Sequence, residues 1–134
     1  MERRGGLRLL LDTHAFLWAV EGNPRLSPRA AEAIADPDAE TMLSAVSVYE
    51  ICLKHRLGKL PGFAALVERF EEVLRESGCV LLPVSFAHAR EAGLLAVDHK
   101  DPFDRLLVAQ ARVERVPIVS NETVFDPFGV ERVW

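Results

Sequence analysis

The sequence predicts an α/β sandwich built on a short, mostly parallel central sheet, and three observations carry that expectation. Brief apolar runs recur along the chain, at Leu7 to Leu11, Thr41 to Ser44, Cys79 to Leu82 and Val116 to Val119, each too short for a helix but long enough for a buried strand. Stretches with helical periodicity separate them, bounded by caps, prolines and glycines. Strand, helix and strand in alternation is the order that crossover connections require, and crossovers pair strands in parallel.

Taken in order, Met1 to Gly6 reads as a polar leader and Leu7 to Leu11 as the first strand. A helix is expected over His14 to Val20, stopped by Glu21-Gly22-Asn23-Pro24. Ser27 then offers an N-cap, with Pro28 at the first helical position and Arg29 to Ala35 continuing up to Asp36-Pro37. After the Thr41 to Ser44 strand, Ser47 and Glu50 fit a capping box for a third helix, Val48 to Leu57, that ends before Gly58. Pro61-Gly62 marks a turn. Phe63, Leu66, Val67, Phe70, Val73 and Leu74 then repeat at helical spacing, predicting one long amphipathic helix from Phe63 to Ser77. Gly78 stops it, Cys79 to Leu82 is the next strand, and Pro83 ends that. Ser85 to Leu95 is expected to be helical, Asp98 to Pro102 a polar loop and Phe103 to Arg115 a helix. A strand follows at Val116 to Val119, then a turn at Phe125 to Gly129 and a last short strand at Val130 to Trp134.

At 134 residues and 49% apolar, the chain is expected to form one domain spanning 1–134 with a core that needs no staples. Its only cysteines, Cys52 and Cys79, lack metal-site spacing, and no secretory leader precedes the first strand; a reducing, cytoplasmic setting follows. No apolar run approaches membrane-spanning length. A formal charge of −4 argues against indiscriminate binding to nucleic acid, yet allows a local basic patch beside an acidic, cation-dependent centre.

The acids carry the chemistry. Asp12 ends the first strand, Glu50 opens the third helix, Asp104 sits in the first turn of a later helix and Glu122 follows the strand VPIVS. An open parallel sheet brings such positions to one rim. Clustered carboxylates repel, and the usual compensation is a hard divalent cation; Mg²⁺ or Mn²⁺ matches a set of oxygen ligands without sulfur. Such ions activate water and neutralise charge on a phosphodiester under attack, so phosphoryl-ester hydrolysis is the reaction that fits. Thr13, Ser120 and Asn121 flank the acids and are candidates for orienting them or a bound water, while Asp101 suits a cap on the helix opened by Pro102 or a place in the outer shell. His14 has no histidine or cysteine partner and reads as a surface or capping residue. Lys54, His55, Arg56 and Lys59 form the best basic surface, with Arg25, Arg29 and Arg105 secondary. Phosphate contacts are expected of Lys54, Arg56, Lys59 and Arg105, the last only if the groove bends round the roughly 100° that separates it from Asp104 on the helix.

The segments LLLDTHAFLW, SAVSVYEICLK, HKDPFDRLLVAQA and VPIVSNETVF resemble the PIN-domain ribonucleases (PilT N-terminal-like), and more closely the VapC toxins of type II toxin–antitoxin modules. The resemblance covers nearly the whole chain in order, and DPFDR beside LDTH is its most diagnostic part. It implies a PIN-like three-layer α/β/α sandwich and a divalent-metal-dependent endoribonuclease that is a homodimer neutralised by a cognate antitoxin. Matching the motifs places the family's acidic quartet on Asp12, Glu50, Asp104 and Glu122. Glu122 departs from the commoner Asp and reaches one methylene further, which allows coordination through water. Phe63, Phe70 and Trp134 are candidates for apolar surface available to self-association. Two other classes compete: a phosphohydrolase of small esters, weakened because DTH offers no second aspartate two residues after Asp12, and a non-catalytic RNA-binding or scaffold protein, which would keep RNA binding after the acids are neutralised.

Overall fold

The structure, a computed structural model, describes residues 7–134; the expected leader Met1 to Gly6 lies outside them. Strand β1 (Arg8–Leu11) leads into α1 (Thr13–Glu21), α2 (Pro28–Ala35) and β2 (Glu40–Ser44). Helices α3 (Ala45–Arg56), α4 (Ala64–Glu68) and α5 (Phe70–Ser77) precede β3 (Val80–Leu82), and α6 (Phe86–Leu94) and α7 (Pro102–Glu114) precede β4 (Ile118–Val119). A 3-10 helix, Thr123–Phe128, and β5 (Arg132–Val133) complete the chain.

The five strands lie in the order β3-β2-β1-β4-β5, and every neighbouring pair is parallel, so the sheet is wholly rather than mostly parallel. The 3-10 helix, placed where a simple turn was expected, lets β5 return in the same direction as β4. Strand β1 is central, with Leu10 in register with both Met42 and Ile118. Because successive side chains leave opposite faces, these three enter one core with Leu107, Val108 and Ala111 of α7. Leu9, Leu11, Leu43 and Val119 enter the other, against Phe16, Ile51 and Leu74 of α1, α3 and α5. Burial on both faces is why the strands read as unbroken apolar runs.

Two helices differ from expectation. The third begins at Ala45, with Ser44 rather than Ser47 as its cap, the Ser44 hydroxyl accepting from the Val46 amide at 3.0 Å. The helix therefore starts directly off β2, and Glu50 falls in its second turn, outside any capping box. The long helix from Phe63 is broken at Arg69, whose backbone (φ −114°, ψ 31°) leaves the helical region. The break separates two short helices that each reach the core, and it sets Phe70 stacked on Phe16 with ring centroids 6.0 Å apart. Phe70 is thus buried and supplies no free apolar surface, while Phe63 and Trp134 are half-buried against the same core and keep only part of theirs. No described helix is long and apolar enough to cross a membrane.

Candidate active site

In a parallel sheet the carboxyl ends of all strands share one rim. Here β1 delivers Asp12 to it, β2 delivers Ser44 and the start of α3, and β4 delivers Ser120. Helix α7 runs back from the rim to the start of β4, so its first turn, with Asp104, lies there too.

Asp12 is 3% exposed. It also caps α1: Oδ1 accepts from the Ala15 amide at 2.7 Å. Capping and a site role therefore fall to different oxygens, because Oδ2 is buried without a hydrogen-bond partner. Burial pushes the Asp12 carboxyl up from 3.8 to about 6; the Ser120 hydroxyl and the Ala15 amide oppose the rise, the charge of Glu122 adds to it, and His14 opposes it weakly. The Ser120 hydroxyl lies beside Asp12 without completing a hydrogen bond to Oδ2.

Glu50 is held from two sides. Thr13 Oγ1 donates to Oε1 at 2.8 Å and Lys54 Nζ sits 2.8 Å from Oε2. Thr13 Oγ1 is also 2.9 Å from Ser47 Oγ, and with its single proton given to the carboxylate it accepts that of Ser47. Glu50 is thus tied to Thr13, the residue next to Asp12. Across the rim, the Asp104 carboxyl is raised above its ordinary value by burial; His99 works against the rise, and Asp101 and Glu50 add to it. His99 Nε2 lies 2.9 Å from Asp104 Oδ2, and its ring meets Phe128 edge-on. The sequence reading missed His99; its only signal was a histidine five residues before Asp104 in DHKDPFD.

The remaining residues separate into roles. Asp101 is exposed and caps α7, accepting from the amides of Phe103 and Asp104. Glu122 is exposed, and its amide donates to the buried Ser120 hydroxyl at 2.9 Å; Asn121 is exposed beside it. His14 is exposed, its ring 5.6 Å from that of Trp18. Arg105 does not face a ligand groove. Its guanidinium donates to the carbonyls of Ala92, Leu95, Val97 and His99 at 3.1, 2.7, 2.8 and 3.0 Å, closing the segment that leads into α7. Lys54 is committed to Glu50. Arg56 and Lys59 are exposed and form no ion pair among the described residues.

The acids thus meet as two electrostatic neighbours, Asp12 with Glu122 and Glu50 with Asp104. Among the described residues, no three histidine, cysteine or acidic side chains converge closely enough, as they stand, to hold an ion. The expected quartet is therefore not a ready-made cage. Glu50 and Asp104 are turned toward Lys54 and His99, whose positive charge or donors satisfy them in place of a cation. The donor set still suits a hard divalent ion: carboxylate and hydroxyl oxygens, and one buried carboxylate oxygen that nothing satisfies.

Fold and rim together define a parallel α/β sandwich whose acids gather at the carboxyl edge of the sheet. The chain belongs to the PIN domain family, whose model matches residues 9–130. PIN-domain nucleases generally use divalent metal ions. Solved structures that share the fold include the following three. That of VapBC2 from Rickettsia felis bound to a promoter DNA fragment matches with a TM-score of 0.64 at 17% identity, over 96% of this chain and 100% of that one. FitAcB from Neisseria gonorrhoeae matches at 0.63 and 24% identity, over 92% and 95%. A toxin–antitoxin complex from Klebsiella pneumoniae matches at 0.60 and 17%, over 86% and 87%. No curated protein matches the sequence.

Proposed function

We propose that this chain, as a single PIN domain, is a divalent-metal-dependent endoribonuclease and the toxin of a toxin–antitoxin pair. The observation that carries the reading is Asp12 Oδ2, a buried and unpartnered carboxylate oxygen at the acid-lined rim of a PIN domain. Leaving such an atom unsatisfied costs free energy, and a cation with Mg²⁺ or Mn²⁺ chemistry removes the cost. When bound, that ion supplies charge neutralisation at the phosphodiester and a more acidic water.

The side chains divide the remaining work. Asp12 and Asp104 are the principal ligands, and Glu50 and Glu122 complete the shell or orient water. Thr13 fixes the Glu50 carboxylate through its 2.8 Å hydrogen bond, and Ser120 fixes the backbone of Glu122. For the acids to converge, Lys54 and His99 must release Glu50 and Asp104, and Lys54 then becomes free for a phosphate. Arg56 and Lys59 contact the RNA backbone without reading bases. The toxin reading draws on the structures above, one of them a toxin–antitoxin complex, whose fold this chain shares; it implies a cognate antitoxin, a homodimer and a cytoplasmic setting.

The internal pairing of Glu50 and Asp104 favours one alternative, a PIN domain that binds RNA without cutting it. Incubation of structured and single-stranded RNAs with the purified protein separates the two. Internal cleavage in Mg²⁺, lost in EDTA and restored by excess Mg²⁺ or Mn²⁺, is the expected result. RNA that is bound but intact in both metals supports the non-catalytic alternative, and cleavage that survives EDTA removes the metal from the account.

A further inference from the structure

Tyr49 is the residue before Glu50 on α3, and at 59% exposed it offers a large aromatic face to solvent at the rim. It does not stand alone. The ring of Phe103, the residue before Asp104 on α7, is half-buried behind it, with centroids 5.8 Å apart and planes at 59°. The two rings therefore bridge α3 and α7 one residue before Glu50 and Asp104, the acids that act on one another across the same pair of helices. Phe103 fixes the orientation of Tyr49 and leaves its outer face open.

A second feature lies on the same stripe of the helix. Arg56 follows Tyr49 by seven residues, which on an α-helix is about 10.5 Å along the axis and within roughly 20° of the same direction. Arg56 is exposed and makes no side-chain hydrogen bond or ion pair among the described residues. An open aromatic face beside an acidic rim, with a free guanidinium two turns away, is the combination that single-stranded nucleic acid uses: stacking for a base, cations for the backbone. An apolar protein segment fits less well, because covering Tyr49 would also strip water from Glu50 and Asp104 beside it.

We propose that Tyr49, backed by Phe103, is a stacking subsite for one unpaired nucleobase of the RNA, with Arg56 taking a neighbouring phosphate. The subsite rests on the ribonuclease reading and deepens it by naming the side chains that hold one unpaired base beside the acids.

The test compares wild type, Tyr49→Ala and Tyr49→Phe. Binding of a single-stranded RNA carrying 2-aminopurine, and of the same strand in a duplex, is measured in EDTA; cleavage of the single strand is measured in Mg²⁺. Thermal unfolding checks that the variants fold, as an exposed ring predicts. Tyr49→Ala is expected to weaken single-strand binding roughly 5- to 150-fold, the range for one base–aromatic stack, and to lose the quenching of 2-aminopurine. Tyr49→Phe keeps the ring and should stay within about twofold of wild type, and duplex binding should not change. Unaltered single-strand binding by Tyr49→Ala, an equal loss on the duplex, or a loss in Tyr49→Phe as large as in Tyr49→Ala each overturns the subsite. So does a protein partner whose binding needs Tyr49 while RNA binding does not. If wild type cuts RNA and Tyr49→Ala is indistinguishable from it, only the stacking is wrong; if wild type neither binds nor cuts RNA, the ribonuclease reading fails and takes the subsite with it.

Discussion

Asp12→Asn is expected to abolish RNA cleavage and, at the same time, to make the metal-free protein more stable at neutral pH. Removing a principal ligand should cost more than the roughly 10- to 100-fold that follows from losing a partner of a metal ligand. The gain in stability comes from burial. In the unfolded chain the Asp12 carboxyl ionises near 3.8; in the folded protein it holds its proton up to about 6, because desolvation opposes the charge. Between these values the folded state binds more protons than the unfolded, so stability falls as pH rises through that window. Above about pH 6 the full penalty applies, on the order of 3 kcal/mol. Asparagine cannot ionise and still presents an oxygen to the Ala15 amide, so the cap survives. Urea unfolding in EDTA at pH 4 and pH 7.5 should show similar stabilities at the lower pH and a more stable variant at the higher. A variant that is less stable at pH 7.5, or one that still cuts RNA, contradicts this assignment.

Arg105→Ala should be the most damaging change outside the acids. One guanidinium serves four backbone carbonyls between Ala92 and His99, and that segment carries His99 to Asp104. Charge-assisted hydrogen bonds contribute roughly 1.5–3 kcal/mol each but do not add, so a loss of about 2–4 kcal/mol is expected, with faster amide exchange over residues 92–99. Arg105→Lys should recover little, because an ammonium has three donors and no planar fork. An Arg105→Ala protein of near wild-type stability with weakened RNA binding would return Arg105 to the phosphate-contacting role that its sequence position suggested.

Much of this architecture was legible because it is local. Leu9, Leu10 and Leu11 read as a strand buried on both faces, Asp12 as its terminus, and Ser27-Pro28 and Asp101-Pro102 as helix starts, each from chemistry within a few residues. The choice of Ser44 over Ser47 was not local: both can cap, and the length of β2 decides which one meets the rim. Periodicity from Phe63 to Ser77 could not show the break at Arg69, since both halves keep the same apolar spacing and it is the packing of Phe70 on Phe16 that divides them. At the rim, sequence pointed to the acids but not to their companions. A lysine four residues after Glu50 and an arginine after Asp104 both look like surface charge; one folds onto the carboxylate and the other turns inward to carbonyls. Thr13 and Glu50 are 37 residues apart, so their contact is a product of the sheet alone.

Whether Asp12 Oδ2, buried and without a hydrogen-bond partner, is a cation ligand is tested most directly by anomalous diffraction from crystals of the wild-type protein soaked in Mn²⁺. The expected result is a Mn²⁺ peak about 2.1 Å from Asp12 Oδ2, with Asp104 also a ligand, Glu50 and Glu122 turned toward it directly or through water, and Lys54 displaced from Glu50. A protein that takes up no Mn²⁺ at the rim, or holds it away from Asp12 with Lys54 still on Glu50, would contradict it.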